Sequence, residues 1–196
     1  MNLPREIKPL QEFVIAAHGS SPSDLDKVKQ LLAEYPEFLN QGYEWDPTDI
    51  ETALQAAAHM GQPAIAEYLL SQGAPLDICS AAMLGRSDAV QQFLAQDPTQ
   101  IHAVGAHTIP LLTHAVWSDN ISLVQQIWEQ GAHAGASEAL SNIVSEKRFR
   151  MASWLLEHCD PDLNWKNFQG KTVIEVARDL GETQMIRLLE EYDSKR

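Results

Sequence analysis

The feature that most constrains this chain is a repeated spacing. Around Gly61, apolar residues fall seven positions before it, at Leu54, and four, eight and nine positions after it, at Ile65, Leu69 and Leu70. The same offsets recur around Gly85 (Ile78, Ala89, Phe93, Leu94), Asp119 (Leu112, Leu123, Ile127, Trp128), Lys147 (Leu140, Met151, Leu155, Leu156) and Gly181 (Ile174, Met185, Leu189, then Glu190). Apolar positions three and four apart mark an amphipathic helix on each side of a turn. Thr52 is placed to cap the first helix of the Gly61 set, Gly61 to end it, and Pro63 to open the second, where its missing N–H costs nothing. Helices shorter than about 12 to 15 residues are marginal alone, so each pair must pack on a neighbour, and the copies supply one. The polar Glu190 fits a terminal unit whose outer face stays in water.

The turn positions are separated by 24, 34, 28 and 34 residues. These intervals and residues resemble the ankyrin repeat family, whose unit of about 33 residues is a β-turn plus two helices. The match is closest in DLNWKNFQGKTVIEVARDLG, at Asp162, Asn164, Gly170, Thr172, Ile174, Ala177 and Gly181. A second carrier is Thr52, Leu54, Ala57, Gly61, Leu69, Leu70, Gly73 and Ala74. IPLLTHAVWSDN is looser, with Pro110 in the threonine place, followed by Gly131 and Ala132. A divergent first unit begins at Phe13, Ala16 and Ala17, with its turn lengthened by SSPS.

The resemblance implies an all-α ankyrin-repeat solenoid of about six stacked helix-turn-helix units with short β-turn fingers, forming one domain over residues 1–196. The units lie at roughly 10–40, 50–74, 75–98, 108–132, 136–160 and 170–192. The 24-residue interval leaves no room for a finger between the second and third units. The Lys147 unit lacks the family's threonine and glycine and is expected to be degenerate. Leu69, Leu70, Phe93, Leu94, Leu155 and Leu156 are expected between units.

By resemblance, a partner lies against the finger tips and the two residues before each inter-helix turn. The pre-turn pairs are His59 and Met60, Met83 and Leu84, Trp117 and Ser118, Ser145 and Glu146, and Asp179 and Leu180. The finger tips are Tyr43, Trp45 and Thr48 at one end and Trp165, Lys166 and Phe168 at the other, with Ala106 and His107 between. From these the expected binding residues are Tyr43, Trp45, Thr48, His59, Met60, Met83, Leu84, Trp117, Ser118, Trp165 and Phe168. Aromatics are costly to leave in water and enriched at binding surfaces, although a tryptophan beside a helix end can equally pack on the next unit.

Charge narrows the partner. Residues 30–146 hold fourteen acids against the single base Arg86, whereas 1–29 and 147–196 are balanced at four and four and at nine and nine. That field repels nucleic acid and anionic membrane surfaces and attracts a basic protein or peptide, or else only keeps the protein soluble. The N-terminal stretch MNLPREIKPLQEF interrupts any leader-like apolar run with charge, so a cytoplasmic location is expected; the protein is also expected to be a monomer. Cys79 and Cys159 have no CxxC spacing and read as buried thiols.

No nucleophile elbow, phosphate loop or HExxH motif is present, and no catalytic residue, cofactor or metal is expected. His102, His107 and His114 lie close in sequence but without a cysteine or acid at ligand spacing, and are read as structural. His59 is read as a contact. The Lys147, Arg148 and Arg150 cluster is read as a solvated turn. The function implied is a non-enzymatic binding module presenting a concave, acidic, aromatic-lined surface; the alternative is a small-molecule binder or enzyme of unrecognised type, which would need an enclosed pocket.

Overall fold

The computed structural model describes residues 8–195. Twelve α-helices follow one another among them: α1 (Pro9–Ala17), α2 (Asp24–Glu34), α3 (Ala53–His59), α4 (Pro63–Ser71), α5 (Ile78–Met83), α6 (Ser87–Gln96), α7 (Leu111–Ala115), α8 (Ile121–Glu129), α9 (Ala136–Ser145), α10 (Phe149–His158), α11 (Val173–Asp179) and α12 (Thr183–Asp193). Each odd-numbered helix packs on the helix that follows it. The odd-numbered helices also pack on one another in series, α1 on α3, α3 on α5, and so on to α11.

Local chemistry sets the boundaries. Thr52 and Thr172 each form a reciprocal capping box, with Gln55 and Glu175 respectively, and Asp77 caps α5 through Ser80 N–H. All five turn positions picked out by the spacing are left-handed: Gly61, Gly85 and Gly181, but also Asp119 (φ 55°) and Lys147 (φ 59°). A turn this tight demands the conformation whatever residue stands there, and only glycine adopts it without cost.

Between α2 and α3 a two-stranded antiparallel hairpin, β1 (Tyr43–Asp46) and β2 (Asp49–Glu51), forms a true ladder. It pairs Tyr43 with Glu51, Glu44 with Ile50 and Asp46 with Asp49, leaving Trp45 unpaired at an irregularity. Single bridges, Val104 to Pro110 and Lys166 to Thr172, mark two smaller fingers. The 24-residue interval carries only the short loop between α4 and α5.

The core divides into two clusters. One runs from Phe13 to Ala74 and takes in Met83; the other runs from Ile78 to Leu189. Leu69, Leu94, Leu155 and Leu156 are buried as expected, whereas Leu70 and Phe93 are only half-buried. Both of the latter fall one position off the stripe that α4 and α6 turn inward, where Ile65, Leu69, Val90 and Leu94 lie. Cys79 and Cys159 are free and buried, and burial pushes both thiols up to about 12. No helix among the described residues is long and apolar enough to cross a membrane.

Candidate functional site

The missing finger has a consequence for its neighbours. With nothing projecting between α4 and α5, the finger that precedes α7 reaches the β1–β2 hairpin. His107 donates its backbone N–H to Asp49 Oδ1 at 3.1 Å, and its Nδ1 lies 2.5 Å from Asp49 Oδ2. The finger adopts a costly backbone to do this: His107 (φ 56°) and Thr108 (φ 59°) are consecutive left-handed residues, and Thr108 is β-branched. Such conformations cost about 1–3 kcal/mol each and persist only where surrounding contacts impose them.

Beneath His107 lies Glu51, a carboxylate with no solvent exposure at the end of β2. Its Oε2 accepts a hydrogen bond of 2.7 Å from Trp45 Nε1, which the hairpin irregularity aims inward. Three imidazoles surround the remaining directions: His59 Nε2 at 2.8 Å and His107 Nε2 at 3.4 Å from Oε1, and His18 Nε2 at 3.4 Å from Oε2. His18 caps the end of α1 and His59 is the last residue of α3. The ring centroids of His18 and His107 each lie 5.1 Å from that of His59.

The electrostatics follow from burial. Removal from water would raise the Glu51 carboxyl, but the His18 and His59 imidazoles beside it more than offset that and hold it well below the usual carboxylate range. Burial pushes the His59 imidazole below its ordinary value, against the pull of Glu51. His59 Nε2 and Glu51 Oε1 are at hydrogen-bonding distance without hydrogen-bonding alignment, and neither atom has a hydrogen-bond partner. A fully buried carboxylate needs a compensating positive charge, because burying an unpaired ion costs several kcal/mol.

The expected contact residues fall into three groups. Thr48, Met60 and Phe168 are exposed, Phe168 almost completely at 96%. Tyr43, Leu84, Ser118 and Trp165 are half-buried; Tyr43 packs edge-on against Trp45, and Ser118 Oγ donates to Ala115 O. Met83 and His59 lie in the interior, and Trp45 is committed to Glu51. Trp117 is committed as well: its ring lies against the Gly61 turn, its Nε1 donates to His59 O at 3.0 Å, and its carbonyl accepts from Arg148 Nη1. Arg148 is therefore engaged with the neighbouring unit, where a solvated turn was expected.

The histidines expected to be structural part company. His114 is buried with Nδ1 on Pro110 O at 3.0 Å, and burial pushes it down to about 4. His102 is exposed beside Gly131. His107 joins two residues distant in sequence, and among the described residues His18, Glu51, His59 and His107 form a group whose ligand atoms all lie within 4.8 Å of one another. Sequence reasoning passed over His18 and Glu51. A signal was present: His18 precedes Gly19 and His59 nearly precedes Gly61, so superposing the first two units places both at the same helix end.

The ankyrin repeat family model matches residues 49–81, the stretch running from β2 through α3 and α4 into α5. The chain contains an ankyrin repeat. Glu51 and His59 both lie inside it. No curated protein matches the sequence. Among solved structures, one chain in the structure of a predatory endopeptidase from Bdellovibrio bacteriovorus in complex with an immunity protein is similar over 92% of this chain and 97% of that one, with 20% identity and a TM-score of 0.49.

Proposed function

We propose that the chain is a non-enzymatic protein-binding module of six stacked ankyrin units whose working surface is the row of fingers. Ankyrin repeats are in general protein-interaction modules, and the arrangement of fingers supports that use here. The observation that carries the reading is a cleft of about 460 Å³ between the hairpin and the finger before α7, lined by Asp46, Thr48, Asp49, Ile50, Val104 and Thr108 among others. Ile50 and Val104 are large aliphatics left more than half exposed on its walls, at 57% and 54%. Aliphatics flanked by carboxylates suit a peptide segment that alternates apolar and basic side chains. Phe168, exposed at 96% at the last finger, is a second anchor. Because Trp117 and Met83 occupy the middle of the pre-turn row, the fingers rather than that row carry the contact.

The test is affinity capture with the purified chain, identification of the bound protein, and titration of that protein against variants. Ile50→Asp and Val104→Asp together should weaken the interaction at least about tenfold, which corresponds to about 1.4 kcal/mol. Capture of the same protein with unchanged affinity by a folded double variant overturns the reading.

A further inference from the structure

Three imidazoles and one carboxylate, all potential metal ligands, meet at a single point. We propose that His18, Glu51, His59 and His107 bind one divalent transition-metal ion, zinc in class, as a closed four-ligand site that ties the two core clusters together.

The distances fit the ion. A tetrahedral centre with ligands at about 2.0–2.1 Å has ligand-to-ligand edges of roughly 3.3 Å. His107 Nε2 stands 3.4 Å and His59 Nε2 2.8 Å from Glu51 Oε1, while His18 Nε2 stands 3.4 Å from Oε2; the four ligand atoms all lie within 4.8 Å of one another, so side-chain shifts on the order of an ångström close the set on one ion. Imidazole and carboxylate together suit zinc and its first-row neighbours, and not calcium or magnesium, which take all-oxygen shells.

The unmatched atoms point the same way. Glu51 Oε1 and His59 Nε2 are buried, face one another and share no hydrogen bond. A cation bound between these two atoms would satisfy both. A doubly charged ion would also supply the positive charge that a fully buried carboxylate requires.

The surroundings are those of a held ligand set. A metal-binding histidine passes its other ring N–H to a carboxylate or carbonyl, which fixes tautomer and orientation. His107 does this through Asp49, and Glu51 is itself held by the Trp45 indole. The left-handed pair His107 and Thr108 is then explained: the finger accepts strain to present one imidazole to the site. Four ligands leave no open position, so the ion would be structural rather than catalytic. Its ligands come from the ends of α1, β2 and α3 on one side and from the finger before α7 on the other, so occupancy would fix the finger cleft as well as the junction.

The proposal is tested on the full chain stripped of metal with a chelator. Titration with Zn2+ should saturate at one equivalent, and Co2+ should give the visible absorption of a tetrahedral centre, displaced by Zn2+. Asp49→Asn, which leaves the four ligands in place, should weaken Zn2+ binding about 10- to 100-fold. His107→Asn, chosen because asparagine tolerates the left-handed backbone, should lose at least about 100-fold and the Co2+ bands. The metal-dependent rise in melting temperature should disappear with it. Absence of one-equivalent binding and of tetrahedral Co2+ bands in the wild-type chain overturns the site. So does binding of unchanged affinity in His107→Asn and His18→Ala, which would place the ion elsewhere.

Discussion

Gly61 and Gly181 offer a matched pair for measuring how firmly the two cores are joined. Both end the first helix of a pair, with φ of +63° and +68°. A Cβ at 181 would meet nothing within 4 Å, whereas a Cβ at 61 would lie 2.4 Å from Trp117 Cδ2 and 2.5 Å from Cε3. Gly181→Ala therefore carries only the left-handed penalty, about 1–2 kcal/mol. Gly61→Ala carries the same penalty and must also displace the indole. That displacement forfeits the Trp117 Nε1 bond to His59 O, about 0.5–1.5 kcal/mol, and part of the packing of a half-buried ring. The expected excess of Gly61→Ala over Gly181→Ala is about 2 kcal/mol. Urea unfolding followed by far-UV circular dichroism reads it, and a double-mutant cycle isolates it: on a Trp117→Ala background the cost of Gly61→Ala should fall to that of Gly181→Ala. If the two glycine variants differ by less than about 0.5 kcal/mol, or if the excess survives removal of the indole, Trp117 does not join the two units as described.

His114 makes stability depend on pH. Its imidazole is held neutral in the folded chain, at about 4 against an ordinary 6.5, mainly by burial; Pro110 O and Asp77 favour the charged form, and His59 opposes it. The unfolded chain thus binds the extra proton first, so the contribution is complete above about pH 6.5 and is lost as pH falls to about 4, some 3 kcal/mol in all. Urea midpoints of wild type and His114→Asn from pH 7.5 to 4.5 check this: the variant, which keeps a donor toward Pro110 O, should show the flatter profile, and parallel profiles would refute it. At Lys147, glycine should relieve about 1–2 kcal/mol of left-handed strain while giving up chain entropy and an exposed ion pair with Glu182, for a net gain of about 0.5–1 kcal/mol in thermal or urea unfolding. A loss of stability in Lys147→Gly would mean that the pair outweighs the strain.

The helices were legible in the sequence because each is set by local chemistry. Thr52 and Thr172 cap, Pro63 opens a helix, and the apolar offsets around each turn mark the buried stripe, so helix position follows from a few neighbouring residues. The offsets also located turns at Asp119 and at Lys147, and at Lys147 residue type alone points away from a left-handed backbone. What the pre-turn residues touch was not legible. Met83 and Trp117 sit at positions that resemblance turns toward a partner, but both pack on the N-terminal core cluster. That outcome depends on how closely the units on either side of the 24-residue interval approach, which no single unit encodes.

The histidine cluster shows the same limit more sharply, because its members come from four separate elements and none has a ligand-spaced neighbour in sequence. Glu51 stands beside the cap residue Thr52 and reads as an ordinary solvated acid. Its burial follows only from the hairpin register, which sets it opposite Tyr43 and turns it and Asp49 inward while Ile50 faces out. His107 arrives there because the finger between α4 and α5 is absent. A shortened repeat, which in the sequence looks like decay of the pattern, thereby removes a spacer and brings two otherwise separate fingers into contact. Met83 and Trp117 tie the two core clusters through apolar contact near the helix ends, and His107 ties them through Glu51 at the fingers. Loosening either tie should be felt at the other, because both act across the same junction.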